Sequence, residues 1–137
     1  MSTLHRIALA ALAALALPPA PSDTVPLYTD LGTLEVPITT TVPLAQRYFN
    51  QGMRLTYAFN HPEAIRSFQA ALAADSTCAM CWWGVAFAMG PNINAPMDSA
   101  SGMAAWRASR EATRLAPNAT PREQAYIRAI QARYSDP

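Results

Sequence analysis

Helical periodicity, broken at intervals by helix-capping sequences, constrains the fold of this chain most. From Leu44 onward, apolar residues recur every three to four positions, as on one face of an α-helix. Asn60 and Thr120 each stand three residues before a glutamate, which is the spacing of a capping box. Asp98 is a good N-cap residue in front of another periodic stretch. The pattern therefore predicts an all-α array of helices joined by turns.

Five helices are expected from these signals. The third contains CAMCWWGVAFAMG, is apolar on nearly every face and is predicted to be buried. A proline- and asparagine-rich loop, GPNINAP, separates it from the fourth. The expected helices cover about 44–59, 62–74, 77–89, 99–115 and 121–134.

The first twenty residues have the pattern of an export signal. His5 and Arg6 precede an unbroken apolar run, 7–17, which suits a signal-peptide core and is short for a membrane span. We expect residues 1–20 to be a signal peptide of a periplasmic or secreted protein, membrane-tethered if the signal stays uncleaved. No other membrane segment is expected. Residues 21–43, rich in proline and threonine, are predicted to form an extended linker or arm before a helical domain, 44–137.

The charge balance excludes one class of partner. The formal net charge is only +1, and all ten basic residues are arginines. Outside the signal, nine arginines face nine acids, so the chain has no clustered basic face for a nucleic-acid backbone. We expect no nucleic-acid partner.

The first two helices fit a known repeat pattern. Tyr48 and Gly52 occupy its aromatic fourth and small eighth positions, and Ala64, Phe68 and Ala71 match the A-x3-F-x2-A pattern of its second helix. In these positions the chain resembles the tetratricopeptide repeat, a pair of antiparallel helices of about 34 residues.

A second unit fits one period later. Trp82 takes the fourth position and Ala86 the eighth, and both are interpreted as packing positions. The second helix fits after a longer loop, with Ser109 in place of the aromatic residue. The resemblance predicts repeats at about 45–78 and 79–118, and the start of a third at 120–134.

The arm and both units together resemble the N-terminal region of exported bacterial tetratricopeptide repeat proteins, whose members are typically longer. A repeat array leaves an apolar face on its last helix unless a capping helix follows. No polar cap is evident here, so we expect the chain to be a fragment of a longer protein.

Cys78 and Cys81 leave three interpretations open: free thiols packed in the core, a structural disulfide, or a redox or metal site. Residues three apart on a helix lie on one face, within disulfide range. A haem-attachment motif would need histidine where Trp82 stands, and a thioredoxin-type dithiol would need a βαβ context. Met80, Met89 and Met97 offer thioethers for Cu(I), but nothing in the sequence makes them converge.

Three further residues are candidates for binding. Trp83 is expected to face either a concave ligand groove or the extended N-terminal arm. Asn92 and Asn94, in the loop between the third and fourth helices, are expected either to bind a ligand or to cap turns. No catalytic residues, metal site or cofactor are predicted.

The resemblance implies a function: a non-enzymatic, exported scaffold that presents a concave helical surface to a protein or peptide partner. The alternative is a redox or copper-handling protein that uses the Cys78/Cys81 pair. The two hypotheses differ in whether those cysteines react or bind metal.

Overall fold

The computed structural model describes residues 24–94 and 96–134, and this part of the chain contains five α-helices, one short 3₁₀ turn and no strand. The all-α prediction is confirmed. The predicted signal peptide, 1–20, lies outside the described residues. The elements are α1 Pro43–Tyr57, α2 His61–Ala74, α3 Ala79–Met89, α4 Ser99–Leu115, the 3₁₀ turn Ala116–Asn118, and α5 Pro121–Gln131.

The helix starts follow the capping signals. Asp98 accepts a hydrogen bond from the backbone N–H of Ser101, and Thr120 forms the complete predicted capping box with Glu123. At Asn60 only half of the predicted box is present, since Glu63 donates its N–H to Asn60 while its carboxylate bonds to Arg66 and Tyr28. The backbone N–H of Asn60, which a complete box would pair with the Glu63 carboxylate, donates instead to the carbonyl of Leu55.

Helix α3 begins two residues later than the sequence predicts. Cys78 has extended backbone angles and is the N-cap, and its Sγ lies 3.1 Å from the backbone nitrogen of Cys81. Sulfur is a weak acceptor, so cysteine is not among the usual capping residues. The predicted burial of this helix is confirmed, since eight of its residues are buried.

The helices form two hairpins and a final helix. Short connections make α1 and α2 antiparallel, and likewise α2 and α3, so α1 and α3 run in the same direction. Helix α3 contacts α1, α2, α4 and α5. Helices α1, α3 and α5 therefore form one layer, which we call the inner layer, and α2 and α4 lie outside it.

Phe68 is the centre of the first hairpin's core. Its side chain is 0% exposed, and its ring lies 5.4 Å from that of Phe49, centroid to centroid. Gly52 on α1 and Gly84 on α3 both face this ring, and a Cβ added to Gly52 would lie 2.6 Å from a Phe68 ring carbon. The missing side chains of the two glycines therefore allow one phenylalanine of α2 to pack closely against both α1 and α3.

The second hairpin fills its core differently. Ser109 is buried and donates to the carbonyl of Trp106 in its own helix. The large side chains come instead from α3, from α5 and from Tyr134 just beyond α5. Trp83 stacks on Phe87 and meets Tyr126, and Tyr134 donates to the carbonyl of Ala86. Trp82, predicted to be core, is only half-buried and donates to the Ser76 carbonyl.

Residues 24–42 are extended and fold back around α1. A bend at 29–32 includes Gly32, whose φ of 83° is in the left-handed region that glycine adopts without strain. We call residues 24–28 the outer segment, since they lie against α1 and α2. Residues 34–39 are the inner segment, since they lie against α1 and α5. The two segments hold α1 between them.

Candidate functional site

Polar side chains of α1 bond to the backbone of the inner segment. Gln46 and Asn50 are four residues apart and so lie on one face of the helix. Asn50 accepts from the N–H of Val36 at 3.0 Å, and Gln46 donates to the Val36 carbonyl at 2.9 Å. Gln46 also accepts from the N–H of Ile38 at 3.0 Å. These two amides replace the backbone partners that a neighbouring β-strand would supply.

The same helix bonds to the outer segment through Gln51, and Arg54 adds a bond to Leu34, the first residue of the inner segment. Gln51 accepts from the N–H of Tyr28 and donates to the Pro26 carbonyl, and Arg54 donates to the Leu34 carbonyl. Helix α1 therefore binds extended chain on two of its faces.

Glu123 on α5 completes the contact with the inner segment. Its Oε1 accepts from the N–H of Thr39 and its Oε2 from the Thr39 hydroxyl, both at 2.6 Å. Its Oε2 also accepts from the N–H and hydroxyl of Thr120, at 2.7 and 2.8 Å. The residue is 4% exposed, and the described residues provide no ion-pair partner for it. A buried carboxylate is thus held by four neutral donors.

Hydrogen bonding decides the ionisation of Glu123. Burial opposes the charged form and would raise the pKa of Glu123, but the bonds from Thr39 and Thr120 together outweigh it and lower the pKa below the ordinary 4.5. Glu123 is therefore an anion at neutral pH, acting here as a hydrogen-bond acceptor.

Asp75 is a second carboxylate held by threonines. It accepts from the hydroxyl of Thr40 at 2.6 Å, and from the N–H and hydroxyl of Thr77 at 3.0 and 2.7 Å. Burial opposes its ionisation, yet these bonds outweigh that effect and lower the pKa of Asp75. Asp75 thereby fixes the chain between the inner segment and α1.

Two cavities flank the inner segment. One, of about 320 Å³, lies between Thr39–Thr41, Asp75, Met80 and Glu123. The other, of about 340 Å³, is bordered by Val36–Thr39, Met80, Arg122, Glu123 and Tyr126. We call the inner-layer surface around Gln46, Asn50, Met80 and Glu123 the groove. The inner segment occupies it without filling it.

The three residues predicted as binding candidates lie outside the groove's polar contacts. Trp83 is 7% exposed and donates its Nε1–H to the Tyr126 carbonyl, so its ring packs between α3 and α5 instead of facing the extended arm. Asn92 accepts from the N–H of Asn94 at 2.9 Å, which is a turn-stabilising contact. The structure does not bring these residues together.

Cys78 and Cys81 form a disulfide, with Cα atoms 5.3 Å apart. Both residues are fully buried, which shields the bond from the attack of a solution thiolate. The methionines of the copper hypothesis do not converge: Met80 and Met89 stand at opposite ends of α3, about 13 Å apart along its axis. Among the described residues no group of three or more His, Cys, Asp or Glu is placed to hold a metal ion.

Sequence reasoning missed the residues that form the groove. Gln46 and Asn50 were indistinguishable from ordinary polar positions of an amphipathic helix. Glu123 was recognised only as the capping partner of Thr120. Asn50 and Gln51 are buried, and buried amides need partners, but that burial is visible only in the structure.

Searches against protein-family models, curated proteins and solved structures find no match for this chain. Over residues 24–94 and 96–134, no helix has both the length and the apolar character needed to cross a membrane.

Proposed function

We propose that this protein is a non-enzymatic interaction module of the tetratricopeptide type, which binds an extended segment of a protein or peptide partner in the groove of its inner layer. The proposal also places the protein outside the cytoplasm, in the periplasm or secreted, since residues 1–20 have the pattern of an export signal.

The repeat assignment is supported by the first hairpin. Gly52 and Phe68 occupy the small and aromatic positions of the repeat pattern, and they are in direct contact between α1 and α2. The burial of Ala64 and Ala71 agrees with the same register. Ser109 departs from the pattern in the second hairpin, where other residues supply the volume.

The binding function depends on one observation: side chains of α1 and α5 hydrogen-bond to the backbone of an extended segment. Asn50 and Gln46 satisfy both backbone groups of Val36, and Glu123 satisfies the N–H of Thr39. Backbone contacts of this kind accept many sequences, because every non-proline residue presents the same N–H and C=O. A surface that binds extended chain within the molecule has the chemistry to bind it from another.

A displayed library of extended peptides, selected on the full chain, tests the proposal. We expect selected peptides to lose at least tenfold in affinity on the double variant Gln46→Ala/Asn50→Ala, which removes both amide side chains. Arg110→Ala, an exposed change on α4, is the matched control and should leave affinity unchanged. Thermal unfolding of each variant checks that it is folded.

Two results would overturn the proposal. One is a library that yields no binder. The other is a set of binders whose affinity is insensitive to the amide variant and whose NMR shift changes map to α2 and α4.

A further inference from the structure

The inner segment makes the contacts that a bound peptide would make. Its backbone bonds to α1 are to the side-chain amides of Gln46 and Asn50 and to the guanidinium of Arg54, and it forms no strand with any part of the described chain. Its side chains contribute less, since Leu34, Glu35, Pro37 and Thr39 are exposed while Val36 and Ile38 are half-buried. The segment is held through its backbone and through Thr39.

Glu123 gives the groove a preference for one residue type. One carboxylate binds the N–H and the hydroxyl of Thr39 together, each at 2.6 Å. Only serine or threonine presents a backbone donor and a short side-chain donor in this arrangement. An apolar residue at this point would leave one bond of a buried carboxylate unmade.

The two cavities indicate that other chains fit the groove better. They adjoin Val36, Ile38 and Thr39 on either side and share Met80 and Glu123 in their walls. A segment with larger apolar side chains next to its hydroxyl residue would keep the backbone bonds and bury more surface. What favours the inner segment is its tether, because only residues 40–42 separate it from α1 and its effective concentration is high.

We propose that the inner segment is a built-in competitor for the groove, and that the partner it excludes is an extended segment with β-branched or larger apolar residues leading to a serine or threonine bound by Glu123. This inference rests on the proposed function and adds the partner's chemistry and a regulatory element. A partner displaces residues 34–39, and its apparent affinity is lowered by their occupancy of the site.

The probe is a fluorescent peptide with the sequence of residues 33–41, TLEVPITTT, measured by anisotropy against the full chain. Thr39→Val weakens the inner segment by removing its hydroxyl while keeping its shape. We expect this variant to bind the peptide about tenfold more tightly than the unmodified protein does. Ile38→Ala is a second weakening variant and should act in the same direction.

Two controls make the test specific. Thr33→Val changes an exposed threonine that lines neither cavity and should leave peptide affinity unchanged. A peptide with valine in place of the threonine equivalent to Thr39 should bind Thr39→Val protein about tenfold more weakly than the parent peptide. Circular dichroism checks that every variant keeps its helix content.

The inference is overturned if both weakened variants bind the probe no better than the unmodified protein. It is also overturned if the valine peptide binds as well as the parent. A concentration-dependent dimer of Thr39→Val protein without added peptide would overturn it as well, since the occupant would then be a second copy. In each case peptides selected from the library can still map to the groove, so the proposed function survives; a library without binders removes both.

Discussion

The two hairpins have the same helical layout and fill their cores in opposite ways. In the first, one large side chain, Phe68, lies against two glycines on neighbouring helices. In the second, the position that the repeat resemblance would align with Phe68 is Ser109, and the volume comes from Trp83 and from Tyr134 beyond α5. The first hairpin therefore needs α3 as a wall, whereas the second needs α5. The stability of each hairpin therefore depends on the helix that follows it in the chain.

Removing Phe68 should have the largest effect. We expect Phe68→Ala to lower the free energy of unfolding by about 3–5 kcal/mol, since a fully buried phenylalanine leaves a cavity between three helices. Ser109→Ala is the matched change in the second hairpin and should cost about 1 kcal/mol or less, since its hydroxyl bonds within its own helix. Urea unfolding measures both. Equal losses would show that the two cores are not filled differently.

Adding a methyl group beside Phe68 should lower the free energy of unfolding by less than removing the Phe68 ring does. Gly84→Ala places a methyl group against the Phe68 ring, and we expect a loss of about 1–3 kcal/mol from overpacking. Gly102→Ala, in α4, places its methyl group 3.3 Å from the flexible end of Met97 and should gain up to about 1 kcal/mol from helix propensity. If Gly84→Ala left the free energy of unfolding unchanged, the Phe68 ring would be able to shift away from the added methyl group.

The disulfide distinguishes the start of the second hairpin from that of the first, which begins with Pro43. Because Cys78–Cys81 closes a very short loop, the loop-entropy relation gives it at most about 2 kcal/mol. We expect Cys78→Ala/Cys81→Ala to remain folded with a loss of about 1–2 kcal/mol in chemical unfolding. Mass spectrometry after treatment with an alkylating agent should show no alkylated cysteine while the disulfide is intact. After reduction it should show two alkylated cysteines.

Acid should weaken the contact that joins the inner segment to α5. Since the pKa of Glu123 is lowered in the folded protein, its stabilisation is complete above the ordinary 4.5 and is lost as the pH falls through the folded value. Glu123→Gln should therefore cost about 1 kcal/mol at pH 7, and its difference from the unmodified protein should shrink below pH 4.5.

Glu111→Gln is the control for that experiment, because it removes an exposed ion pair with Arg114 and is expected to change stability by about 0–1 kcal/mol. If the loss of unfolding free energy caused by Glu123→Gln stayed constant from pH 7 to pH 3.5, the lowered pKa of Glu123 would be contradicted.

The sequence predicted those parts of the fold that depend on neighbouring residues. Asp98 and Thr120 cap helices as predicted, because caps act within one turn. The start of α3 was wrong by two residues, since a cysteine acts as its cap. Helix α5 ends at Gln131 and not near Tyr134, whose side chain instead reaches back to α3.

The groove could not be predicted, because its contacts join residues far apart in the chain. Thr39 and Glu123 are 84 positions apart, and no local pattern relates them. The neighbour of Trp83, Tyr126, lies on α5, and no periodicity in the sequence specifies how that helix docks. Helical patterning fixes which face of a helix is buried and leaves open which partner buries it.

The fold-back of the N-terminal chain around α1 sets an order of assembly during synthesis. Tyr28, Val36 and Ile38 bond to residues 23, 14 and 8 positions ahead, so these contacts can form once α1 has left the ribosome. The bonds of Thr39 must wait for α5, and they close a loop of much greater length and entropic cost. A growing chain therefore passes through a stage in which the inner segment is attached on one side only, and its docking onto Glu123 marks the addition of α5 to the inner layer.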